Sequence, residues 1–248
     1  SGTTREPKPV ALSRQALLYQ GRTIADAILR RWPESETFQH SGASWLPLYH
    51  DMGLIGGVVN PLFLGCGVTI MSPLAFLTKP ARWLHAMSRL KADVTGGPNF
   101  AYELCVERVT EEQCEGLDLS SWGVAFNGAE PVRADVMAKF SEKFAPYGFR
   151  SKAHYPCYGM AETTLLVTGA DPNREPIVLD FVGTDLDNFK VKRAKPGDAS
   201  ARRLVGCGKT VGPEEVIIVD PESCRMADPD QIGEIWVNGP SVGKGYWK

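Results

Sequence analysis

Several signals that would point to a common kind of site are missing from this sequence. The six cysteines form no CxxC pair and no histidine-spaced cluster, which argues against a zinc site and fits a reducing cytoplasm better than secretion. The pattern GxxxxGK followed by Ser or Thr is absent, so the chain has no Walker A phosphate loop. Neither sign of charge dominates: 27 Lys and Arg against 29 Asp and Glu leave a net charge of −2. That balance argues against nucleic acid or an anionic membrane surface as a partner.

One long stretch, 52–78, carries no charge and has to be weighed as a membrane span. Asn60-Pro61, Ser72-Pro73 and several glycines interrupt it, so a continuous spanning helix is a poor fit. Parallel strands are apolar on both faces, and the stretch therefore predicts a buried helix followed by a buried strand at 67–71. No membrane span is expected.

Strand-like and helix-like segments alternate from the start of the chain to about residue 170. Strands are expected at 43–48, 67–71, 92–95, 122–126 and 152–155. Helices are expected after a cap at Ser13, from Thr78 to Leu90, from Asn99 to about 110, and from Pro131 to about 144. This alternation predicts an α/β fold with a largely parallel sheet flanked by helices.

The pattern changes after residue 170. Helical periodicity fades, and short alternating strands appear at 215–219 and 232–237 between Pro/Gly turns. We therefore expect two parts, an α/β part at 1–170 and a smaller β-rich part at 171–248.

Four loops of unusual composition follow predicted strands: 44–53, 96–100, 127–131 and 158–163. Ligands of parallel sheets bind beyond the C-terminal strand ends, where such loops gather. Gly, Pro and Asn are also ordinary turn residues, so any one loop alone is better explained as a turn. Four of them at one sheet edge favour a binding site.

Two side chains in these loops, and one further loop, suit phosphate chemistry. Glu162 can hold Mg²⁺ through its carboxylate, although a surface Glu at a helix start is the alternative. His50 can donate to a carboxyl or phosphoryl oxygen, although a structural histidine is the alternative. The opening loop, 1–8, is rich in hydroxyls and can form an anion-binding nest, or else a solvated terminus.

Read together, these segments resemble the adenylate-forming superfamily. SGTTREPK is similar to its phosphate loop, and YGMAET is similar to its magnesium and AMP motif. The phrases SWLPLYHDMGLIGG, GGPNFAYELC, NGAEPV and YGMAETTLLVTG most resemble the fatty acyl-AMP ligase branch. The likeness spans essentially the whole chain and implies that superfamily's fold, with a distorted β-barrel in the second part.

The resemblance implies a two-step reaction that uses ATP and Mg²⁺. A fatty acid carboxylate attacks the α-phosphate of ATP to give acyl-AMP and pyrophosphate, and the acyl group then passes to the phosphopantetheine thiol of an acyl carrier protein, often in polyketide or lipopeptide assembly. Such chemistry depends on positioning and charge neutralisation more than on a protein nucleophile.

The resemblance also implies roles for individual residues. His50 and Glu162 are the catalytic candidates, with Glu162 as the Mg²⁺ ligand and His50 beside the acyl-phosphate junction. Candidates for the acyl substrate are His50, Gly97, Phe100 and the uncharged stretch after Met52. The nucleotide-binding candidates are Ser1, Gly2, Thr3, Thr4 and Lys8 at the pyrophosphate end, and Asn127, Gly128, Ala129, Glu130, Tyr158, Gly159, Met160 and Thr163 around the rest of the nucleotide.

Some features leave other interpretations open. Arg5 and Pro9 stand where the family's phosphate loop has glycines, which keeps a non-catalytic binding or scaffold protein as an alternative. An acyl-CoA synthetase is the nearest enzyme alternative. The charged segment 180–204 lies where fatty acyl-AMP ligases have an insertion thought to disfavour free coenzyme A, and a solvated loop is compatible with the same residues.

The resemblance places this sequence inside a longer protein, before the family's ribose-binding Asp and adenylation lysine. We therefore expect residues 1–248 alone not to catalyse fatty-acid-dependent ATP–pyrophosphate exchange. Exchange by this fragment at the rate of the full-length protein would contradict the expectation.

Overall fold

The computed structural model describes residues 8–29 and 40–247. Within these ranges the α-helices are α1 (Arg14–Leu29), α2 (Asn60–Leu64), α3 (Pro73–Thr78), α4 (Ala81–Leu90), α5 (Asn99–Arg108), α6 (Ala134–Phe144) and α7 (Gly183–Asp187). A π-helix, Met52–Val59, runs directly into α2. The β-strands are β1 (Ser41–Ser44), β2 (Gly67–Ile70), β3 (Val94–Gly96), β4 (Val124–Asn127), β5 (His154–Gly159), β6 (Leu166–Gly169), β7 (Val178–Val182), β8 (Ala201–Val205), β9 (Lys209–Thr210), β10 (Glu215–Asp220), β11 (Arg225–Met226) and β12 (Glu234–Asn238).

The main sheet has the strand order β2-β1-β3-β4-β5-β6-β9. The four neighbouring pairs from β2 to β5 are parallel, and β6 and β9 extend the sheet in antiparallel pairing. The strand order reverses between β1 and β3, which is the kind of switch point where open α/β sheets bind ligands. The predicted α/β fold with a largely parallel sheet and flanking helices is confirmed.

The prediction of a buried strand at 67–71 is wrong in its burial. β2 is the last strand of the sheet and pairs only with β1 in the described part of the chain. Ile70 is 47% exposed as a consequence. The lack of charge in this stretch does not show where the strand lies, because an apolar edge strand and an apolar central strand have the same sequence pattern.

The helix predicted from Thr78 to Leu90 is α4, which begins at Ala81, and the predicted cap at Thr78 is wrong because Thr78 belongs to a separate helix, α3. Ser72 caps α3, since its Oγ accepts a hydrogen bond from the Ala75 amide at 3.1 Å. Thr78 ends α3 instead of starting a helix, and its hydroxyl donates to the Leu74 carbonyl at 2.7 Å. The expected cap at Ser13 is confirmed, because its Oγ accepts from the Ala16 amide at 3.0 Å.

The two faces of the sheet are filled differently. Successive strand residues point to opposite faces. Thr95 of β3, Ala125 of β4 and His154 of β5 contact a cluster of aromatic side chains under α3 to α6. Their neighbours Phe126 and Tyr155 line a cavity on the other face. The aromatic cluster therefore supports the sheet from behind the cavity.

Edge-to-face ring contacts dominate the aromatic cluster. The ring of Trp83 lies 5.7 Å from Tyr102 and 5.2 Å from Trp122, and Phe140 lies 5.0 Å from Tyr102. Each of these four side chains is fully buried. Such pairs add about 0.5–1.5 kcal/mol each beyond the burial of their surface. A rigid back wall for the sheet follows from this packing.

Beyond the main sheet the chain forms small antiparallel units. β7 and β8 form a hairpin, and β10 lies between β11 and β12 in a three-stranded sheet. The segment from β7 to β8 contains the predicted insertion at 180–204. In it, Arg203 pairs with Asp180 and Arg202 pairs with Asp187. Both ion pairs are exposed and contribute little to stability. The division at residue 170 stays a prediction.

The N-terminal and C-terminal ends of the described chain pair with each other. Val10 and Tyr246 form an antiparallel bridge, and the Ala11 amide donates to the Gly245 carbonyl at 2.9 Å. The Trp247 amide donates to the Pro9 carbonyl at 2.9 Å. This pairing brings the end of the predicted phosphate loop next to the segment 244–247.

His154 makes the stability of this fold depend on pH. Burial lowers its pKa to about 4, although its hydrogen bond to the Met137 carbonyl works in the opposite direction. The folded pKa lies below the unfolded value of about 6.5, so stability is full above that value and is lost as pH falls toward 4. The loss amounts to roughly 3 kcal/mol at most.

We therefore expect His154→Gln to flatten the pH dependence of unfolding. In urea denaturation, the free energy of unfolding should fall more steeply between about pH 7 and pH 4 in the wild type than in the variant. His85→Gln is the control, because His85 is exposed and should leave the wild-type slope unchanged. Equal slopes for all three proteins would contradict the assignment.

Candidate functional site

A cavity of about 660 Å³ lies at the C-terminal ends of β1, β4 and β5. Three of the four loops singled out in the sequence reach it, those after β1, β4 and β5. Residues of α1, the π-helix and β6 complete the wall. Seven of the predicted site residues line it: His50, Gly128, Ala129, Tyr158, Gly159, Met160 and Glu162.

The loop after β1 turns sharply and presents His50 to the cavity. The His50 amide donates to the Pro47 carbonyl at 3.1 Å, and the Leu54 amide donates to the His50 carbonyl at 2.8 Å. Only glycine fits at position 53, since a Cβ there would lie 2.0 Å from the Pro47 carbonyl oxygen. The turn is therefore built so that the π-helix begins directly after His50 and Asp51.

Asp51 sets the protonation of His50. Its Oδ1 lies 2.6 Å from His50 Nδ1 and also accepts from the Met52 amide at 2.7 Å. The Met52 amide also lies 3.2 Å from Nδ1, but it makes its shorter contact with Asp51. Since a carboxylate only accepts, the contact between Asp51 and Nδ1 is a hydrogen bond when Nδ1 carries a proton. This hydrogen bond raises the pKa of His50, against the opposing effect of burial. The imidazolium form is favoured, and in that form Nε2 also carries a proton to donate.

Gly128 and Ala129 bring backbone to the cavity at the end of β4. Ala129 has φ +70°, in the left-handed region that a residue with a side chain rarely adopts. Such a conformation costs on the order of 1–3 kcal/mol and is typically kept at binding sites. A Cβ at Gly128 would lie 3.0 Å from the Cys157 carbonyl oxygen, so β4 and β5 approach closely here.

Tyr158 and Gly159 form the facing wall at the end of β5. The register with β6 shifts between these two residues, and a Cβ at Gly159 would lie 1.7 Å from the Leu165 carbonyl oxygen. Burial raises the pKa of the Tyr158 phenol, and the negative charge of Glu162 raises it further. Tyr158 is therefore neutral at physiological pH, and it lines the cavity.

Glu162 joins the cavity to the paired chain ends. It lies in a short 3-10 helix, Ala161–Thr163, and its Oε1 accepts from the Tyr246 hydroxyl at 2.7 Å. The Lys8 ammonium lies 5.4 Å from the centre of the Tyr246 ring. A carboxylate held in this way can bind Mg²⁺ together with substrate phosphates, which is how Mg²⁺ is usually bound.

Other predicted nucleotide-binding residues lie near the cavity without lining it. Asn127 is fully buried, and its amide donates to Asn99 Oδ1 at 3.1 Å. The Thr163 hydroxyl donates to the Met160 carbonyl at 3.0 Å, and Glu130 is exposed. Their binding roles stay predictions. Ser1, Gly2, Thr3 and Thr4 lie outside the described residues, so their roles also stay predictions.

The two remaining substrate candidates, Gly97 and Phe100, lie beside Trp45. A Cβ at Gly97 would lie 2.7 Å from the Trp45 ring, and the Phe100 ring packs edge-on to Trp45 at 5.7 Å. Neither residue lines the cavity. Their acyl-binding roles stay predictions.

The uncharged stretch after Met52 does reach the cavity. Met52, Gly56 and Asn60 line it, and the same three residues line a narrower cavity of about 80 Å³ that lies against β1 and β3. The two cavities share part of their walls. The cavity that contains His50, Tyr158 and Glu162 thus lies next to a mostly apolar pocket.

Some contributors to the site were not identified from the sequence. Asp51 follows His50 directly. A carboxylate next to a histidine in the sequence is the signal that could have indicated its role. Ile24 and Ile28 of α1 line the cavity, but in sequence they look like ordinary core residues. Tyr246 reaches Glu162 from 84 residues away, which no local pattern reports.

The chain was compared with known proteins. Residues 1–247 match the family described as AMP-binding enzyme. The chain belongs to the AMP-binding enzyme family.

Relatives within this AMP-binding family act on fatty acids. The chain is 41% identical over 248 residues to the medium-chain-fatty-acid–[acyl-carrier-protein] ligase TtuA of Teredinibacter turnerae, covering 100% of this chain and 38% of that protein. It is 41% identical over 249 residues to the corresponding ligase JamA of Moorena producens, covering 100% of this chain and 41% of that protein. The chain thus spans about two fifths of the length of these relatives.

A solved structure of a related AMP-binding enzyme has the same fold. It is the fatty acyl-adenylate ligase from L. pneumophila in complex with acyl adenylate and pyrophosphate. The TM-score is 0.91 with 43% sequence identity, covering 100% of this chain and 42% of that chain. The resemblance to fatty acyl-AMP ligases is therefore confirmed. No helix in the described part of this AMP-binding chain is long and apolar enough to cross a membrane.

The contact between Asp51 and His50 gives a direct prediction for this AMP-binding enzyme. Asp51→Asn removes the charge that stabilises the imidazolium, so the pKa of His50 should fall. A histidine NMR titration measures this without depending on any substrate. Asp118→Asn is the matched control, because Asp118 is exposed and pairs with Lys91 far from the cavity. An unchanged His50 titration in Asp51→Asn would show that Asp51 does not set its protonation.

Proposed function

We propose that the protein containing this chain activates a fatty acid as acyl-AMP and passes the acyl group to an acyl carrier protein. One observation carries the proposal: the cavity lined by His50, Tyr158 and Glu162 lies next to a mostly apolar pocket beside the uncharged helix, and the two share wall residues. A nucleotide and a carboxylate suit the first, and an alkyl chain suits the second. The named relatives act on substrates of this kind.

The first step forms one bond and breaks one. An oxygen of the fatty acid carboxylate attacks the α-phosphorus of ATP, and the bond from that phosphorus to the bridging oxygen of pyrophosphate breaks. His50 in its protonated form donates from Nε2 to an oxygen at the acyl-phosphate junction, where negative charge gathers. Tyr158 offers its ring to adenine, and Ala129 holds the backbone that faces it. The protein supplies position and charge, as this chemistry requires.

Glu162 is the residue that would hold Mg²⁺. Its carboxylate is anchored by Tyr246 on one oxygen, and a single carboxylate with substrate phosphates is a suitable set for this ion. When bound, Mg²⁺ neutralises the charge on the phosphates. Lys8 lies close to the same region and suits the pyrophosphate end.

The proposed acceptor is the thiol of an acyl carrier protein. The hairpin of β7 and β8 occupies the segment where the resemblance places an insertion that disfavours coenzyme A. The surface of this segment carries two exposed ion pairs, Arg202 with Asp187 and Arg203 with Asp180. Together with the carrier-protein ligases among the relatives, it supports a carrier thiol over coenzyme A as the acceptor.

The proposal also covers the division of the chain and the location of the protein. We divide the chain at residue 170 into a nucleotide- and acyl-binding part and a β-rich part. We place the protein in the cytoplasm, which the free state of all six cysteines supports.

Glu162→Gln tests the proposal in the full-length protein. With decanoate, ATP and Mg²⁺, the wild type should release pyrophosphate and form decanoyl-AMP, detected by mass spectrometry. The variant should lose about 100-fold or more in rate, because metal assistance is worth several kcal/mol. Glu142→Gln on the exposed surface of α6 is the control and should keep the wild-type rate.

Two outcomes would contradict the proposal. The first is the absence of the corresponding acyl-AMP with every fatty acid offered, which would favour a non-catalytic binding protein. The second concerns the acceptor alone. If the adenylate reacts faster with coenzyme A than with a holo acyl carrier protein, the protein is an acyl-CoA synthetase.

A further inference from the structure

The carboxylate of Glu162 has a hydrogen-bond partner from outside its own loop. The Tyr246 hydroxyl donates to Glu162 Oε1 at 2.7 Å, a length typical of a hydroxyl bonded to a charged carboxylate. Hydrogen bonds of this kind are roughly twice as strong as those between neutral groups. Tyr246 itself does not line the large cavity. It therefore contacts the proposed metal ligand without lining the space that would hold the substrate.

Other hydrogen bonds bring the segment of Tyr246 to the Glu162 loop. The Gly243 amide donates to the Glu162 carbonyl at 2.7 Å. The Thr164 hydroxyl donates to the Ser241 carbonyl at 2.8 Å, and both of these residues are fully buried. Neither bond involves the Tyr246 side chain, which is 51% exposed. The two segments are thus held together without the Tyr246 hydroxyl, which acts on the carboxylate.

Tyr246 also contacts the N-terminal segment of the described chain. It forms the antiparallel bridge with Val10, and the Lys8 ammonium lies 5.4 Å from the centre of its ring, within the range of a cation–π contact. The proposed function assigns Glu162 to Mg²⁺ and Lys8 to pyrophosphate. Tyr246 contacts both of these groups, the first through its hydroxyl and the second through its ring.

The orientation of a carboxylate ligand matters for Mg²⁺ in particular. This ion requires nearly ideal octahedral geometry and usually binds one or two carboxylates together with substrate phosphates. An ionised carboxylate has about four lone-pair positions, so a hydrogen bond from Tyr246 and a bond to the ion are compatible. Hydrogen-bond partners of a ligating side chain orient it, and their loss typically lowers metal affinity by roughly 10–100-fold. The Tyr246 hydroxyl is such a partner.

We propose that Tyr246 is a positioning residue that holds the Glu162 carboxylate in the orientation that binds Mg²⁺, and so sets the affinity of the site for this ion. The inference rests on the proposed function and deepens it, because it assigns control of the metal site to a residue 84 positions away in the chain. Tyr246 acts through Glu162 and takes no direct part in the chemistry. A role of this kind disappears when Glu162 is changed.

Tyr246→Phe in the full-length protein removes the hydroxyl and keeps the ring beside Lys8. Mn²⁺ is the probe, titrated in the presence of α,β-methylene-ATP and followed by water proton relaxation, with the nucleotide analogue alone as the baseline. The affinity for Mn²⁺ should fall by about 10-fold or more in the variant. With decanoate and ATP, the Mg²⁺ concentration that gives half the maximal rate should rise by a similar factor, and saturating Mg²⁺ should restore the rate.

Two comparisons keep the result specific to Tyr246 and Glu162. Tyr19→Phe is the matched control, because the Tyr19 hydroxyl donates to Glu214 Oε2 at 3.1 Å and neither residue lines the large cavity. This variant removes a comparable hydrogen bond and should keep the wild-type affinity for Mn²⁺. In a Glu162→Gln background, Tyr246→Phe should cause no further loss of affinity, because the group that Tyr246 positions is gone.

Several results would overturn the inference. They are an unchanged or tighter binding of Mn²⁺ in Tyr246→Phe, an equal loss in Tyr19→Phe, or the same loss from Tyr246→Phe in the Glu162→Gln background. An absence of Mn²⁺ binding by the wild type above the baseline, or an affinity that Glu162→Gln does not change, would also overturn it. If no fatty acid yields acyl-AMP, the proposed function fails, and the Mn²⁺ titration still decides the inference on its own.

Discussion

The packing of aromatic rings on one face of the sheet is the constraint on which the rest of this structure depends. Side chains alternate along each strand, so a strand fixed by ring contacts on one face must present its neighbouring residues to the other. His154 contacts Tyr102 and Phe149, and the next residue, Tyr155, lines the cavity. The geometry of the site is thus set by side chains that never touch it.

The site combines a surface with charged side chains and an apolar surface. At one end Asp51 favours the charged form of His50, and Tyr246 fixes one oxygen of Glu162. At the other end glycines of the π-helix open an apolar pocket against the sheet. An amphipathic ligand with an anionic head and an alkyl chain matches this division, and the stretch from 45 to 64 contributes residues to both ends.

Much of the fold could be predicted from sequence because its signals are local. The Ser13 cap, the alternation of strands and helices, and the loops after β1, β4 and β5 all follow from short patterns. The antiparallel additions of β6 and β9 could not be predicted, since they depend on pairing between distant segments. The exposure of β2 could not be predicted for a related reason, because its edge position depends on the strand order.

The site was predictable to the same extent. His50 and Glu162, which the sequence predicts from the chemistry of their own loops, both line the cavity. Their long-range partners could not be predicted from sequence. Examples are the hydrogen bond from Tyr246 to Glu162 and the one from Asn127 to Asn99. Local sequence reports residue chemistry, whereas the partner that tunes each residue is set by the sheet order and the pairing of the chain ends.

The most direct test of the proposed function is a structure of the full-length protein with a non-hydrolysable decanoyl-adenylate analogue. We expect the adenosine to lie between Ala129 and Tyr158 and the acyl-phosphate linkage to lie beside His50. The alkyl chain should run past Gly56 toward Asn60. An analogue bound elsewhere, or one whose chain leaves the narrow cavity empty, would contradict it.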